Sequence, residues 1–517
     1  MALKTLTRLA SQAALARDVR RLRRAGDEHA QQAARRHIAE RLGRLRGLPQ
    51  KLGQMLSFTD ASNRNDGDAE NDFVQLQQSA EPLPLESVLP LLEKAWGCPV
   101  EDVLDHIDSL GHAASLGQVH QGRLRDGREV AIKVQYPGIR QAVNTDLKTL
   151  GWLSVPVGNL RRGFDMKSYR RVISEDLDRE LDYRQEALSQ QTFGRWAAAD
   201  PRLAVPEVIE SLSSETVLVS SWEDGESWAD VRDEWPEADR QRMARCLLGL
   251  FLEGLFLRGV LHADLHPGNV RFRRVGERVQ LLLYDFGCVF HPTDAQRDAL
   301  LRLIRATMRG DESPWPLLLK LGFDAEYLQP LAPKLPALCR VLFEPFAVDY
   351  PYPMHEWRLA ERVADVLGDD RWNFRIAGPP ALVFLLRAWH GLKHYLDGLA
   401  APIPWQRAIE PILKRRGPEL DRLALSEDEA NREDFGSLAR YLKIRVRENG
   451  RTKVELTCNA LSIDQLDDLL GEDIRDRIDA RGLDLPRIIS GVRARGYTPG
   501  GVFELDEGEK TVRVWLE

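Results

Sequence analysis

The sequence predicts an α+β fold built from several folding units, on three patterns. Alternating segments at 115–134 read as paired strands, and apolar-periodic stretches between 138 and 425 read mainly as helices. A second strand pair with a tight turn opens the tail after residue 436. At 517 residues the chain exceeds one small core, so two to four folding units are expected.

Residues 1–110 read as a mostly helical extension. Arg36–Leu56 sets Ile38, Leu42, Leu45 and Leu48 among basic residues, a polar loop follows at 59–72, and prolines punctuate shorter helices over 73–110. Residues 111–224 change period. Ser115–Leu124 and Arg128–Val134 flank Asp126-Gly127, a hairpin signal; helical patterns follow at 138–160 and 166–197, then a strand at Val217–Ser221. Over 225–428 the helical pattern dominates, with a long apolar helix at 237–260 and one short buried strand at Leu281–Tyr284. Residues 436–517 read as a separate small α+β domain. Tyr441–Val446 and Lys453–Cys458 alternate around Asn449-Gly450, and Gly501–Glu517 gives a second hairpin.

Composition is that of a globular chain with a net charge of −7. The charge is uneven: residues 1–47 hold twelve basic and four acidic side chains, with Arg20, Arg21, Arg23 and Arg24 clustered. A solvated helix face is the plain reading; peripheral contact with anionic membrane and a transit peptide are the alternatives, the latter opposed by Asp18, Asp27 and Glu28. Nucleic acid is not an expected partner, because aromatics do not interleave the basic run. The five cysteines lie far apart without a CxxC pair, which disfavours zinc and disulfides and suits a reducing, cytoplasmic setting. No run reaches the ~18 apolar residues a membrane span needs; Leu247–Leu261 is broken by Glu253 and Arg258.

The chemistry concentrates in His262-Ala263-Asp264-Leu265-His266-Pro267-Gly268-Asn269, followed by Asp285-Phe286-Gly287. An Asp with an Asn five residues on, then Asp-Phe-Gly after an apolar strand, has the spacing of a kinase catalytic loop and metal-binding motif. Asp264 suits the orientation or deprotonation of a nucleophile, and Asn269 and Asp285 are oxygen ligands suited to Mg²⁺. His266-Pro267 does not belong to an ordinary protein kinase. Upstream, Val130-Ala131-Ile132-Lys133 ends a strand with a lysine suited to nucleotide phosphates. The segment from His112 through Ala113, Ala114, Ser115 and Gly117 to Val119 has the frame of a Gly-rich loop, yet only Gly117 among the three glycine positions is glycine. Side chains at the others leave the backbone less free to wrap phosphates, so nucleotide pose or preference should differ from a conventional kinase. By charge alone Glu175, Asp178, Glu180, Asp182 or Glu186 could each pair with Lys133.

Together with Lys51-Leu52-Gly53-Gln54, these motifs resemble the UbiB/ADCK family of atypical kinases, in the family's order, over roughly residues 35–400. The resemblance implies a two-lobed protein-kinase-like fold, with the helical extension before it and the small α+β domain after it. It implies that Ala113, Ala114, Ser115, Gly117 and Val119 line a nucleotide site. Lys133 would contact phosphates and pair with Glu186, Asp264 would occupy the catalytic-base position, and Asn269 and Asp285 would hold Mg²⁺. Lys51 and Gln54 would lie on a helix folded over the site as a lid, Lys51 facing Glu180 and Asp182, so that protein substrates are excluded. His112, where the family usually has alanine, and the α+β tail in place of terminal membrane helices depart from the pattern. No Ala-Pro-Glu segment follows Asp285, which agrees with the absence of a docked protein substrate.

The expected function is an atypical kinase or ATPase that binds ATP or ADP with Mg²⁺. It would act on, or be coupled to, a small-molecule or isoprenoid-lipid process, quinone-related by resemblance. The competing classes are a nucleotide-switched lipid-binding or regulatory scaffold with incidental turnover, and an aminoglycoside-type small-molecule kinase.

Overall fold

The computed structural model describes residues 82–114, 116–150, 166–425, 439, 441–494, 497, 499–506, 508 and 510–517. Its described part divides into two compact units. One lies within Met1–Phe251, Val260–His291 and Pro380–Ala401; the other within Leu252–Gly259, Pro292–Pro379 and Pro402–Glu517.

The first unit is organised by an antiparallel sheet of β1 (Leu104–Ile107), β3 (Gly117–Leu124), β4 (Glu129–Gln135) and β6 (Val217–Ser221) in that spatial order, with β2 (His112–Ala113) added to β3. Strand alternation gives its faces different work. Val130, Ile132 and Val134 bury one face with Val217 and Val219, under Val88 and Leu92 of helix α1 (Leu85–Trp96). Those two residues lie four apart, on one helix face. Gly97 stops α1 in the left-handed region at φ 72°, donating its N–H to the Glu93 carbonyl. The other sheet face carries Lys133, which pairs in register with Val119 and Leu218. The Asp126-Gly127 hairpin forms as the sequence predicts, with Gly127 at φ 90°. Residues 104–107 depart from the helical reading: they are the strand β1, because pairing with Leu124, Arg123 and Gly122 overrides local pattern.

Two helices follow in this unit, α2 (Met166–Glu180) and α3 (Tyr183–Ala197). The sequence read them as one; Asp182 separates them by capping α3, its carboxylate accepting from the Arg184 N–H. The unit continues through β5 (Leu203–Ala204), which pairs parallel with β9, and through β7 (Leu261–His262), β8 (Val270–Val275), β9 (Arg278–Leu283) and β10 (Val289–Phe290). Of these, sequence reading caught only part of β9, since Arg271, Arg273 and Arg274 obscure the apolar alternation of β8. Helix α4 (Leu382–Leu399) completes it.

The second unit contains helices between residues 294 and 422 and a four-stranded antiparallel sheet. The sheet runs β12 (Arg451–Asn459), β11 (Tyr441–Glu448), β14 (Lys510–Leu516), β13 (Gly500–Asp506). Asn449 and Gly450 turn β11 into β12, both at positive φ, as a type I′ hairpin requires. Leu442, Ile444, Val446, Val512, Val514 and Leu516 are buried. No helix among the described residues is long and apolar enough to cross a membrane.

Candidate active site

Helix α3 presents Tyr183, Glu186, Ala187, Gln190 and Phe193 on its buried side, at helical spacing. That face lies against the sheet through Leu218, and it brings Glu186 to Lys133. The Lys133 Nζ donates to Glu186 Oε1 at 2.6 Å and to Asp285 Oδ2 at 3.2 Å. Of the five acids left open by the sequence, Glu186 is the one that pairs. Burial disfavours the Lys133 ammonium, but Asp285 and Glu186 outweigh it and hold its pKa well above the ordinary lysine value. The Tyr183 ring packs 5.2 Å from the same ammonium. Glu186 also accepts from the Phe286 N–H at 3.4 Å, so one carboxylate serves both the lysine and the Asp285 motif.

The loop before β3 differs from the phosphate-wrapping element its frame suggests. Ala113 pairs with Gln118 in the β2–β3 ladder, and the Ala114 N–H bonds back to the Gly117 carbonyl at 2.8 Å. A Cβ at Gly117 would collide with the Val134 carbonyl and stand 2.6 Å from the Tyr183 hydroxyl. Glycine is therefore needed there for the close approach of β4 and α3. Gln118 and His120, both buried, form a bracket the sequence did not reveal. The Gln118 amide bonds the Leu83 N–H and carbonyl, and donates to His120 Nε2 at 2.8 Å. His120 Nδ1 in turn donates to the Asp108 carbonyl.

In the catalytic loop, Asn269 donates from Nδ2 to Asp264 Oδ2 at 3.0 Å and to the Asp264 carbonyl at 3.2 Å. With the amide nitrogen so engaged, the side-chain oxygen is the Asn269 atom suited to a hard cation. His266 and Pro267, out of place by kinase standards, make the turn. The His266 N–H bonds the Asp264 carbonyl, its Nδ1 accepts from the Gly268 N–H at 3.0 Å, and Arg271 donates to the Pro267 carbonyl at 3.0 Å. His262 joins the two motifs: its Nε2 donates to the Asp285 carbonyl, which fixes Nδ1 as acceptor of the Asp264 N–H at 3.3 Å. Burial keeps this imidazole neutral by lowering its pKa from the usual histidine value. Phe286, fully buried, packs tilted against Phe193 and edge-on to His262 at 5.3 and 5.5 Å between centroids. The β7–β10 pairing, His262 with Val289 and Leu261 with Phe290, locks the loop to the segment after Asp285.

Asp285 is 35% exposed and accepts from Lys133 on one oxygen and the Gly287 N–H on the other. Asn269 and Asp285 therefore fit Mg²⁺ by donor chemistry, as hard oxygen ligands. The acids expected to face a lid divide. Glu180 is buried beside Gly287, its Cγ 3.4 Å from a Cβ placed there. Asp182 is instead ion-paired with Arg184 at 2.9 Å while capping α3, and the arginine beside it lowers its pKa. Lys51, Gln54, Ser115 and Arg20–Arg24 lie outside the described residues. One functional-looking residue had no sequence signal: Arg387 of α4, whose Nη2 is 2.7 Å from Asp264 Oδ1.

A lysine held between a helix glutamate and an Asp-Phe-Gly aspartate, facing an Asp/Asn loop, defines a kinase-like protein. Residues 75–315 match the ABC1 atypical kinase-like domain, and the relatives the chain resembles are named as COQ8 atypical kinases, in line with the resemblance its motifs carry. The atypical kinase COQ8B, mitochondrial, of Rattus norvegicus is 30% identical over 337 residues, covering 64% of this chain and 62% of that protein. The atypical kinase coq-8, mitochondrial, of Caenorhabditis elegans is 32% identical, covering 53% of this chain and 37% of that protein. The chain thus spans less than two thirds of these relatives' own length. Among solved structures, the complex of Rv3197 with erythromycin from Mycobacterium tuberculosis aligns with a TM-score of 0.52 at 26% identity, over 74% of this chain and 97% of that one.

Proposed function

We propose that the protein binds a Mg²⁺-adenine nucleotide and transfers or hydrolyses its terminal phosphate, coupled to a small-molecule or lipid process rather than to protein phosphorylation. The observation that carries this reading is the placement of Lys133 between Glu186 and Asp285, beside the Asp264–Asn269 loop. Lys133 would neutralise phosphate charge, Asp264 would orient the attacking oxygen, and Asn269 and Asp285 would hold Mg²⁺. When bound, the metal supplies charge neutralisation at the phosphates. Ala113, Ala114, Ser115, Gly117 and Val119 would line the nucleotide. The shortened freedom of that loop supports a nucleotide preference unlike that of protein kinases, ATP or ADP. A solved relative in complex with erythromycin supports a small molecule as the second ligand. Lys51 and Gln54 would close the site from the N-terminal segment, with buried Glu180 as the acid they meet.

Calorimetric titration with ATP and with ADP, each with and without Mg²⁺, tests the reading. The wild type should bind in a Mg²⁺-dependent way and Asp285→Asn should not; metal-independent, equal binding by both would overturn it. Lys51→Ala should alter turnover or the ATP-to-ADP preference while melting normally. A variant matching the wild type in both would remove the lid from the account.

A further inference from the structure

Helix α4 supplies a side chain to the catalytic loop from an element that carries no kinase motif. Resting on the functional reading above, we propose that Arg387 is a positioning residue for Asp264, and that α4 is the cradle on which the catalytic loop is set. Arg387 Nη2 donates to Asp264 Oδ1 at 2.7 Å, while Asn269 Nδ2 holds Oδ2 at 3.0 Å. The carboxylate is thereby gripped on both oxygens, which fixes its orientation toward an attacking hydroxyl or water. The guanidinium side chain is 1% exposed and the Asp264 side chain 20%, so the pair has a closed end at α4 and an open end toward the site.

The same guanidinium reaches the other motif. Arg387 Nη1 lies 3.3 Å from the Sγ of Cys288, the residue directly after Asp285-Phe286-Gly287. One turn along α4, a Cβ at Gly391 would stand 2.6 Å from Leu265 Cβ and 3.1 Å from its carbonyl oxygen. Positions 387 and 391 are four apart and share a helix face. One anchors the carboxylate of the loop and the other lets its backbone lie close. Farther along, Gly398 admits the Trp228 ring, whose edge would be 2.5 Å from an added Cβ, which seats α4 against the rest of the unit.

A structural ion pair explains this less well. Burying a guanidinium costs desolvation that a packed apolar side chain avoids, so such a pair is poorly justified by stability alone. The loop itself offers no arginine, because Ala263 stands between His262 and Asp264. The titratable and charged groups facing the pair are Asp176 of α2 and Cys288 on the Arg387 side, and His262 and Asp285 on the Asp264 side.

The test follows turnover of Mg²⁺-nucleotide by Arg387→Gln, Arg387→Lys and Gly391→Ala, per folded molecule by thermal melting, with nucleotide affinity measured in parallel. Arg387→Gln should lose on the order of 10²-fold in kcat at neutral pH. Its nucleotide Kd should stay within about twofold, since the pair does not touch nucleotide in this account. Arg387→Lys should recover part of the lost kcat and leave the Kd equally unmoved. Gly391→Ala should also lower kcat, because it shifts the loop. A purely structural Arg387 would lower activity only in proportion to the folded fraction, so wild-type kcat per folded molecule in the Arg387 variants overturns the inference. Should Arg387→Gln fail to fold, Arg387→Lys decides alone: its kcat per folded molecule must fall below the wild-type value at unchanged Kd. If the wild type itself turns over no nucleotide, the functional reading fails and this inference falls with it. Wild-type turnover matched by both Arg387 variants sinks only the inference.

Discussion

Two buried ionic clusters, one in each unit, use the same residue types to different ends. In the second unit Arg362 bridges Glu344 and Asp464, with the Tyr352 hydroxyl donating to Glu344 at 3.0 Å. All three charged side chains are 14% exposed or less. In the first unit Lys133 bridges Glu186 and Asp285, and there the outer carboxylate is 35% exposed. The Arg362 cluster is shielded at every charged member, whereas the Lys133 cluster leaves Asp285 about a third exposed at its edge. Burial of charge therefore does not mark the site. What marks it is a carboxylate held from behind by a buried cation with its outer side partly exposed, a pattern Asp264 repeats with Arg387 at its back.

Lys133→Met should give the largest effect. Without the cation Glu186 is stranded in the interior and Asp285 loses its neutralising partner, so turnover should fall by about 10²–10³-fold. Stability should drop by roughly 3–5 kcal/mol, the usual result of removing one partner of a buried pair. Denaturant unfolding alongside single-turnover kinetics separates the two losses. Arg362→Met should cost a similar ~3–5 kcal/mol through Glu344 and Asp464, yet leave nucleotide affinity where it was. If affinity falls with stability there too, the contrast between the clusters collapses.

A pH experiment sharpens the contrast further. His262 is buried neutral, with its folded pKa lowered. The unfolded chain then takes up a proton near pH 6.5 that the folded protein refuses. Stability should be fully present above about pH 6.5 and decline as the pH falls below it toward the lower folded pKa. Melting temperatures across this range, compared with His262→Gln, should show a shallower acid loss in the variant; parallel curves would reject the neutral-bridge role. The smallest effect belongs to Tyr352→Phe, which removes one hydroxyl donor from Glu344. It should cost about 1 kcal/mol in unfolding and nothing in turnover.

Much of the site was legible because its parts are short motifs with fixed spacing: Lys133 at a strand end, Asp264 and Asn269 five apart, Asp285 before Phe286-Gly287. Their chemistry can be read residue by residue. The choice of Glu186 among five acids was open by charge alone, since it depends on which face of α3 meets the sheet. Arg387 was invisible for a related reason. It sits in an apolar helix more than a hundred residues from Asp264, and only the fold brings the two together. The hairpins at Asp126-Gly127 and Asn449-Gly450 were readable because turn chemistry is local, whereas β1 and β8 exist through pairing and were missed. His266-Pro267 was visible as a departure from ordinary protein kinases, but its structural role was not. Its hydrogen bonds show it to be the turn that presents Asn269 to Asp264.

The most direct test of the central claim is single-turnover release or transfer of the terminal phosphate from Mg²⁺·ATP by purified protein, in parallel with Asp264→Asn and Asp285→Asn. The account predicts turnover above background for the wild type, loss in both variants, and retained folding in each by thermal melting. Undiminished turnover in a folded Asp285→Asn protein would contradict it.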